Sequence, residues 1–419
     1  MLKMVKIRQI IRLISVIALL LVLMPYVSAA SESTDNTSAE SSPINVDVGS
    51  GEIEKNEQSS KTAEPANACG TGSYHAEVFK NGNTWEARNG YQVVYTGDDM
   101  LEAMRSAVDS LTWGRTSQES VVVRDSGTIP SNASLDLPSH TALEVCGTIH
   151  VESHGHSNMD AAVRIMYAKN VSVPHLNVTG HPTFGVFVRT SEDIHLGQLN
   201  LNLSGGHGIR IDSRDNDDVY GVRNVRLDHV YVSGTSNHGV ETYGVDGISI
   251  GTVIARDTGY SGLLLNDTIN ATVGLVDGEG TGTGTGYAAF RMANRNGQID
   301  SEYSTNIYVD EVKARGGGRG IFCVSESGGA VVNRVDISGT GSNAILIENC
   351  HNVTIGTEGG TVEGPGDIRI AARTEFANTS NITLENFTLR NSAINENPCG
   401  ENIVIRNITL ENSRINACN

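Results

Sequence analysis

The chain has 419 residues and a net charge of −18, from 48 acidic against 30 basic residues, with 46 glycines and only 5% aromatic residues. So acidic a chain is a poor partner for nucleic acid. Only seven of its basic residues are lysines, a balance that suits a high-salt surroundings.

In chain order, Lys3, Lys6, Arg8 and Arg12 precede an almost wholly apolar run from Ile14 to Leu23, and Val27-Ser28-Ala29 offers a small-residue cleavage site. Residues 1–30 are therefore expected to be a secretory signal peptide, with a retained N-terminal anchor as the alternative. No later stretch is apolar enough to span a bilayer. Residues 31–65 are rich in Ser, Glu, Asn and Thr, nearly free of apolar side chains, and read as a disordered polar linker. Residues 66–419 are expected to form one domain. Asp98 to Leu111 has helical apolar spacing and a leading Asp able to cap it.

From there a single register repeats. Thr141-Ala-Leu-Glu-Val aligns with Ala161-Ala-Val-Arg-Ile, Phe184-Gly-Val-Phe-Val, His207-Gly-Ile-Arg-Ile and His238-Gly-Val-Glu-Thr. Ser261-Gly-Leu-Leu-Leu, Ala288-Ala-Phe-Arg-Met, Arg319-Gly-Ile-Phe-Cys, Asn343-Ala-Ile-Leu-Ile and Gly366-Asp-Ile-Arg-Ile continue it, 20 to 31 residues apart. Strand-like units at such a period signal a solenoid. Between them lie segments such as Asn170-Val-Ser-Val-Pro-His-Leu-Asn-Val, Asn224-Val-Arg-Leu-Asp-His-Val-Tyr-Val, Asn306-Ile-Tyr-Val-Asp-Glu-Val-Lys-Ala and Asn381-Ile-Thr-Leu-Glu-Asn-Phe-Thr-Leu. Each alternates, steps by two residues and alternates again, which is two strands with a bend. The prediction is an all-β chain with three strands per coil, and the helix over 98–111 covering the open N-terminal end, where a bare edge would aggregate.

With a secretory signal, the six cysteines are free to form disulfides. The coil register favours Cys323 with Cys350 on adjacent coils, Cys399 with Cys418 as a C-terminal staple, and Cys69 with Cys146 tying the N-terminal segment to an early coil. None has metal-site spacing. Asn170, Asn177, Asn352 and Asn407 open glycosylation sequons, although Asn and Thr are also what solenoid turns use.

The signal peptide, the capping helix and the Asn-rich three-strand coils together resemble the pectin-lyase-like superfamily, over roughly 70–419. The resemblance implies a right-handed single-stranded parallel β-helix, here of about ten coils. It leaves the activity open among lyases, hydrolases, epimerases and phage tailspikes. Gly206-His-Gly-Ile-Arg-Ile also resembles the Gly-His-Gly segment of polygalacturonases, but Phe184 and Ala161 stand where that family's carboxylates would lie.

By alternation, the third and fifth register positions point inward and the second, fourth and sixth outward, with glycine or alanine at the second giving a shallow trough. His207, Arg210, Asp212, His238, Glu241 and Tyr243 then cluster on adjacent coils as candidate catalytic residues, with Arg189, Asn266 and Arg291 as candidate substrate contacts. In β-elimination on a uronate polysaccharide, Arg210 or Arg189 would hold the carboxylate and His207, His238 or Tyr243 would serve as base and acid. In inverting hydrolysis, Asp212 and Glu241 would be the carboxylate pair. Epimerisation shares the proton abstraction of the lyase. A third reading is a non-catalytic cell-surface carbohydrate-binding solenoid. In each case the partner is a polysaccharide and the location secreted or cell-surface. In the insertion 213–218, Asp215, Asp217 and Asp218 could hold Ca²⁺ through oxygen ligands, or form an acidic turn. The insertion from Gly297 to Thr305 is polar and carries no motif.

Overall fold

The inward register column, from Leu135 through Val163, Val186, Ile209, Val240, Leu263, Phe290, Ile321, Ile345 and Ile368 to Ile394, is fully or almost fully buried. Its members pair side by side in one parallel ladder. Burying each such side chain contributes about 1.5–3 kcal/mol, and stacking repeats is the way a coil with one apolar lining secures that burial. In this computed structural model, which describes residues 68–153, 159–214, 220–283 and 286–418, the chain is a parallel β-helix of about 12 turns. The proposed signal peptide and linker, and the acidic residues Asp215, Asp217 and Asp218, lie outside the described residues.

Each coil contributes three strands. The register face stacks Leu135–Asp136, Ala161–Met166, Phe184–Arg189, His207–Asp212, Val240–Tyr243, Leu263–Asn266 and Phe290–Ala293, then continues through the starts of Ile321–Ser338 and Ile345–Glu363 to Ile368–Ala371, Ala393–Glu396 and Arg414–Asn416. Twelve strands thus stand where about ten coils were expected, because the two C-terminal rungs lack the bulky pattern of the others. A second face carries the first halves of long strands such as Lys169–Gly180 and Val222–Ser233, and a third face their second halves.

Two expectations from alternation fail. Thr141–Val145 does not belong to the register face: it pairs with Glu119–Val123 and with Lys169–Gly180, on the second face. The register stack begins instead at Leu135, under Val163. The second-position glycines do not face solvent either. A Cβ on Gly208 would meet the Gly239 carbonyl at 2.2 Å and the core side chain of Val232 at 2.7 Å, and one on Gly239 would meet Val232 at 2.8 Å. This position lies at the corner where the third face turns into the register face. The small residue is required by close packing, and Ala162, Ala289 and Ala344 occupy the same core.

The Asn that opens many second-face strands has a different cause. Asn170, Asn224, Asn270, Asn352, Asn381 and Asn402 all take φ between +53° and +56°, a left-handed turn that Asn tolerates better than other side chains. Asn306 is an exception: it is buried and donates to the carbonyls of Gly297 and Ser304 at 2.7 and 2.8 Å, fastening the 297–305 insertion.

The helix runs Met100–Asp109, capped by Asp99, whose carboxylate accepts from the amides of Leu101 and Glu102. It buries Met100, Leu101, Ala103, Met104, Ala107 and Val108 against the first strands of all three faces and a small antiparallel hairpin, Ala76–Asn81 with Thr84–Asn89. All three expected disulfides are present: Cys69–Cys146, Cys323–Cys350 and Cys399–Cys418.

Candidate functional site

The outward side of the register face carries an ionic network three coils deep. Parallel pairing sets Arg189 beside Asp212, Arg210 beside Glu241, and Tyr243 beside Asn266. Arg189 grips Asp212 with two hydrogen bonds, at 2.6 and 3.0 Å. Arg210 donates to Asp212 at 2.7 Å and, through its other branch, to Glu241 at 2.7 Å. Glu241 also accepts from Asn266 at 3.1 Å, and Asn294 in turn donates to Asn266 at 3.0 Å. Asp212 has no exposed surface and Glu241 is 5% exposed. Burial alone would raise both carboxyls. For Asp212 the bonds from Arg189 and Arg210 outweigh it and hold the group below the usual carboxylate range. For Glu241 the His207 bond and the Arg210 charge outweigh it and hold the group at about 2.

Different partners fix the two histidines in the same tautomer, with the proton on Nε2. Glu241 is ionised and only accepts, so His207 Nε2, 3.2 Å away, must donate. In the neutral ring this leaves Nδ1 as the basic nitrogen. At His238 the backbone N–H of Ser261 points at Nδ1 at 3.1 Å, so Nδ1 must accept and the proton sits on Nε2. Burial pushes His238 down to about 3, which keeps that ring neutral. The rings stand 5.7 Å apart.

An aromatic row extends the site along the corner. Phe184 lies 5.1 Å from His207, and Tyr260 and Tyr287 lie 5.2 and 5.7 Å from His238. The two tyrosine rings stack at 3.9 Å. Burial and the Tyr260 hydroxyl raise Tyr287 to about 12, so its phenol keeps its proton. Arg291 lies over Tyr287 and Phe322, at 5.7 and 5.1 Å, and Arg319 over Phe322 at 4.8 Å. Arg291 forms no ion pair among the described residues, and its buried Nε has no hydrogen-bond partner there. Burial lowers both arginines, Arg319 to about 10.

The nine candidates from the sequence are therefore unequally placed. His207, Arg210, Asp212, Glu241, Arg189 and Asn266 form one connected network, with His238 beside it. Tyr243 stands apart: Arg214 covers its ring at 4.5 Å, and its hydroxyl bonds no described residue. Arg189 and Arg210 are occupied by the protein's own carboxylates, so the uncommitted guanidinium is Arg291. Asp212 and Glu241 are bridged by Arg210, and neither has the raised pKa that an inverting general acid needs. Tyr260 and Tyr287 escaped notice because they precede the register by one residue, a position that holds Gly206 and Asn237 on the coils before. Among the described residues, one grouping has metal-ligating types within reach, Cys69, Glu144 and Cys146. Its two sulfurs form a disulfide and offer no thiolate.

No protein-family model matches the chain, and no curated protein sequence matches it. Among solved structures it is similar to the A-module of the mannuronan C-5 epimerase AlgE4 of Azotobacter vinelandii, at 12% identity and a TM-score of 0.39, over 76% of this chain and 92% of that one. It is also similar to the surface protein and adhesin PfbA of Streptococcus pneumoniae, at 13% identity and a TM-score of 0.36, over 76% of this chain and 96% of that one.

Proposed function

We propose that this chain is an extracellular polysaccharide-processing enzyme that abstracts the C5 proton of a uronate residue, with β-elimination as the outcome. The observation that carries the reading is the pair of imidazoles, one oriented by Glu241 and the other by the Ser261 amide, beside a half-buried arginine that has no ion pair among the described residues. A uronate is activated when a cation neutralises its carboxylate, which acidifies C5–H. Arg291 is the free cation for that purpose. His207 Nδ1, its ring oriented by Glu241, takes the proton. His238 Nε2–H donates to the enolate oxygen that develops, the part a neutral imidazole plays best when its pKa is low. Tyr287 gives its proton to the O4 leaving group as the C4–O4 bond breaks and the C4–C5 double bond forms. Phe184 and the tyrosine pair offer apolar faces for the sugar's C–H surfaces. Three disulfides fit an oxidising, extracellular setting.

The same groove weakens the case for hydrolysis, since both carboxylates are locked ionised. The test is incubation of the chain with alginate, polygalacturonate and glucuronans in heavy water. Reducing ends appearing together with ultraviolet absorbance of an unsaturated uronate mean elimination. Deuterium at C5 without cleavage means epimerisation by the same proton transfer. Reducing ends without unsaturation mean hydrolysis and overturn the proposal, and no change in any polymer does the same.

A further inference from the structure

The bend between the second and third faces, the corner opposite the register face, holds a groove of about 420 Å³. Two columns line it. His175, Gln198 and His229 pair across three coils, and Asn177, Asn200 and Tyr231 run parallel to them one step away. Successive rungs are separated by the inter-strand distance of ~4.8 Å.

The first rung is rigidly built. His175 Nδ1 donates to Glu144 at 2.7 Å, and the second oxygen of Glu144 accepts from the Tyr74 hydroxyl. The N-terminal segment that carries Tyr74 is tied down by Cys69–Cys146, and Cys69 itself edges the groove. Asn177 is held by its amide on the Gly147 carbonyl at 3.1 Å. The next two rungs contrast with this. Gln198, Asn200, His229 and Tyr231 bond no described residue through their side chains, so amide, imidazole and phenol groups point into the groove uncommitted. No lysine, arginine, aspartate or glutamate lines it, so it presents no permanently charged side chain to a ligand. Its chemistry is that of neutral donors and acceptors repeated along an axis, with one aromatic ring.

We infer that this groove is a second binding site, for a neutral, hydroxyl-rich glycan chain lying along the solenoid axis, and that it holds such a chain without reacting with it. Hydroxyls satisfy Gln198, Asn200 and His229, and Tyr231 packs against a sugar's C–H face. The inference does not depend on the uronate reading, because it concerns other residues and needs no turnover.

Calorimetric titration of the full chain with cellohexaose, xylohexaose and mannohexaose tests it. The expected result is binding of at least one of the three, weakened about tenfold or more in Asn200→Ala and in Tyr231→Ala, the loss expected when an anchoring contact is truncated. Tyr308→Ala, which removes an exposed ring elsewhere on the second face, should leave it unchanged. Melting curves of all three variants confirm that they fold. No heat with any neutral hexasaccharide at about millimolar concentration, a free energy near 4 kcal/mol, overturns the inference. So does binding that both groove variants retain in full.

Discussion

Two stretches of the register face share one backbone and treat charge in opposite ways. On the coils from Phe184 to Asn266, every outward arginine meets a carboxylate: Arg189 and Arg210 enclose Asp212, and Arg210 continues to Glu241. On the coils from Ala288 to Ala371, the outward side is a small apolar core of Ala288, Ala293, Phe322, Val324, Leu346 and Ala371, which reaches back to Leu264 on the coil before, with Arg291 and Arg319 lying on its aromatic ring. The first stretch is complete within itself. The second holds a half-buried cation, Arg291, that forms no ion pair among the described residues. A solenoid can do this because each coil needs only its inward residues to stack, which frees the outward ones for a ligand. Under the proposed function, the ionic coils would orient the reacting groups while the distal coils supply attraction for an anion.

The largest effect expected on this division is catalytic. His207→Ala should lower turnover of a uronate polymer by about 10²–10⁴-fold, the usual contribution of a positioned base. Steady-state rates check this, and a loss below tenfold would remove His207 from the role. Next is stability. Arg210→Ala removes the guanidinium that bridges two buried carboxylates and should cost about 3–5 kcal/mol in urea unfolding. Arg291→Met removes a half-buried charge that has no ion-pair partner among the described residues, and should be neutral or stabilising while weakening substrate binding. Equal destabilisation by the two would erase the distinction drawn between the stretches. The distal coils also have a covalent staple in the core. Replacing Cys323 and Cys350 by alanine opens a 27-residue loop, and should cost about 3–4 kcal/mol by the chain-entropy argument.

The smallest effect is a slope. Between about pH 6.5 and about 3 the unfolded chain carries a proton on His238 that the folded chain refuses. Stability should therefore fall as pH drops through that window, by about 1.4 kcal/mol per unit. Glu241 and Asp212 add to the loss in the same direction below the usual carboxylate range, since their folded forms also resist protonation. His238→Leu should flatten the curve above about pH 5, where the carboxylates do not yet titrate. Denaturant midpoints at several pH values measure it, and an unchanged slope would show that His238 is not the group responsible.

What the sequence determined by itself is what a local period can carry. Apolar alternation gave the strands, the 20–31 residue spacing gave the stacking, and stacking made His207 and His238, or Arg210 and Glu241, neighbours although they lie 31 residues apart. The Cys323–Cys350 pair followed from the same adjacency, whereas Cys69–Cys146 was what the other two pairs left over. Tertiary structure alone decided what happens at the corners. Alternation fixes inside and outside only while a strand stays straight, and each bend rotates the chain and resets the parity. Hence the Gly208 column lies in the core, Thr141–Val145 sits on another face, and Tyr260 and Tyr287, one step before the register, swing in beside His238. The pairing of charges was hidden for a related reason. The coils name which residues are adjacent, but which arginine finds a carboxylate and which is left for a ligand depends on side-chain geometry across three rungs, and no period in the sequence encodes that.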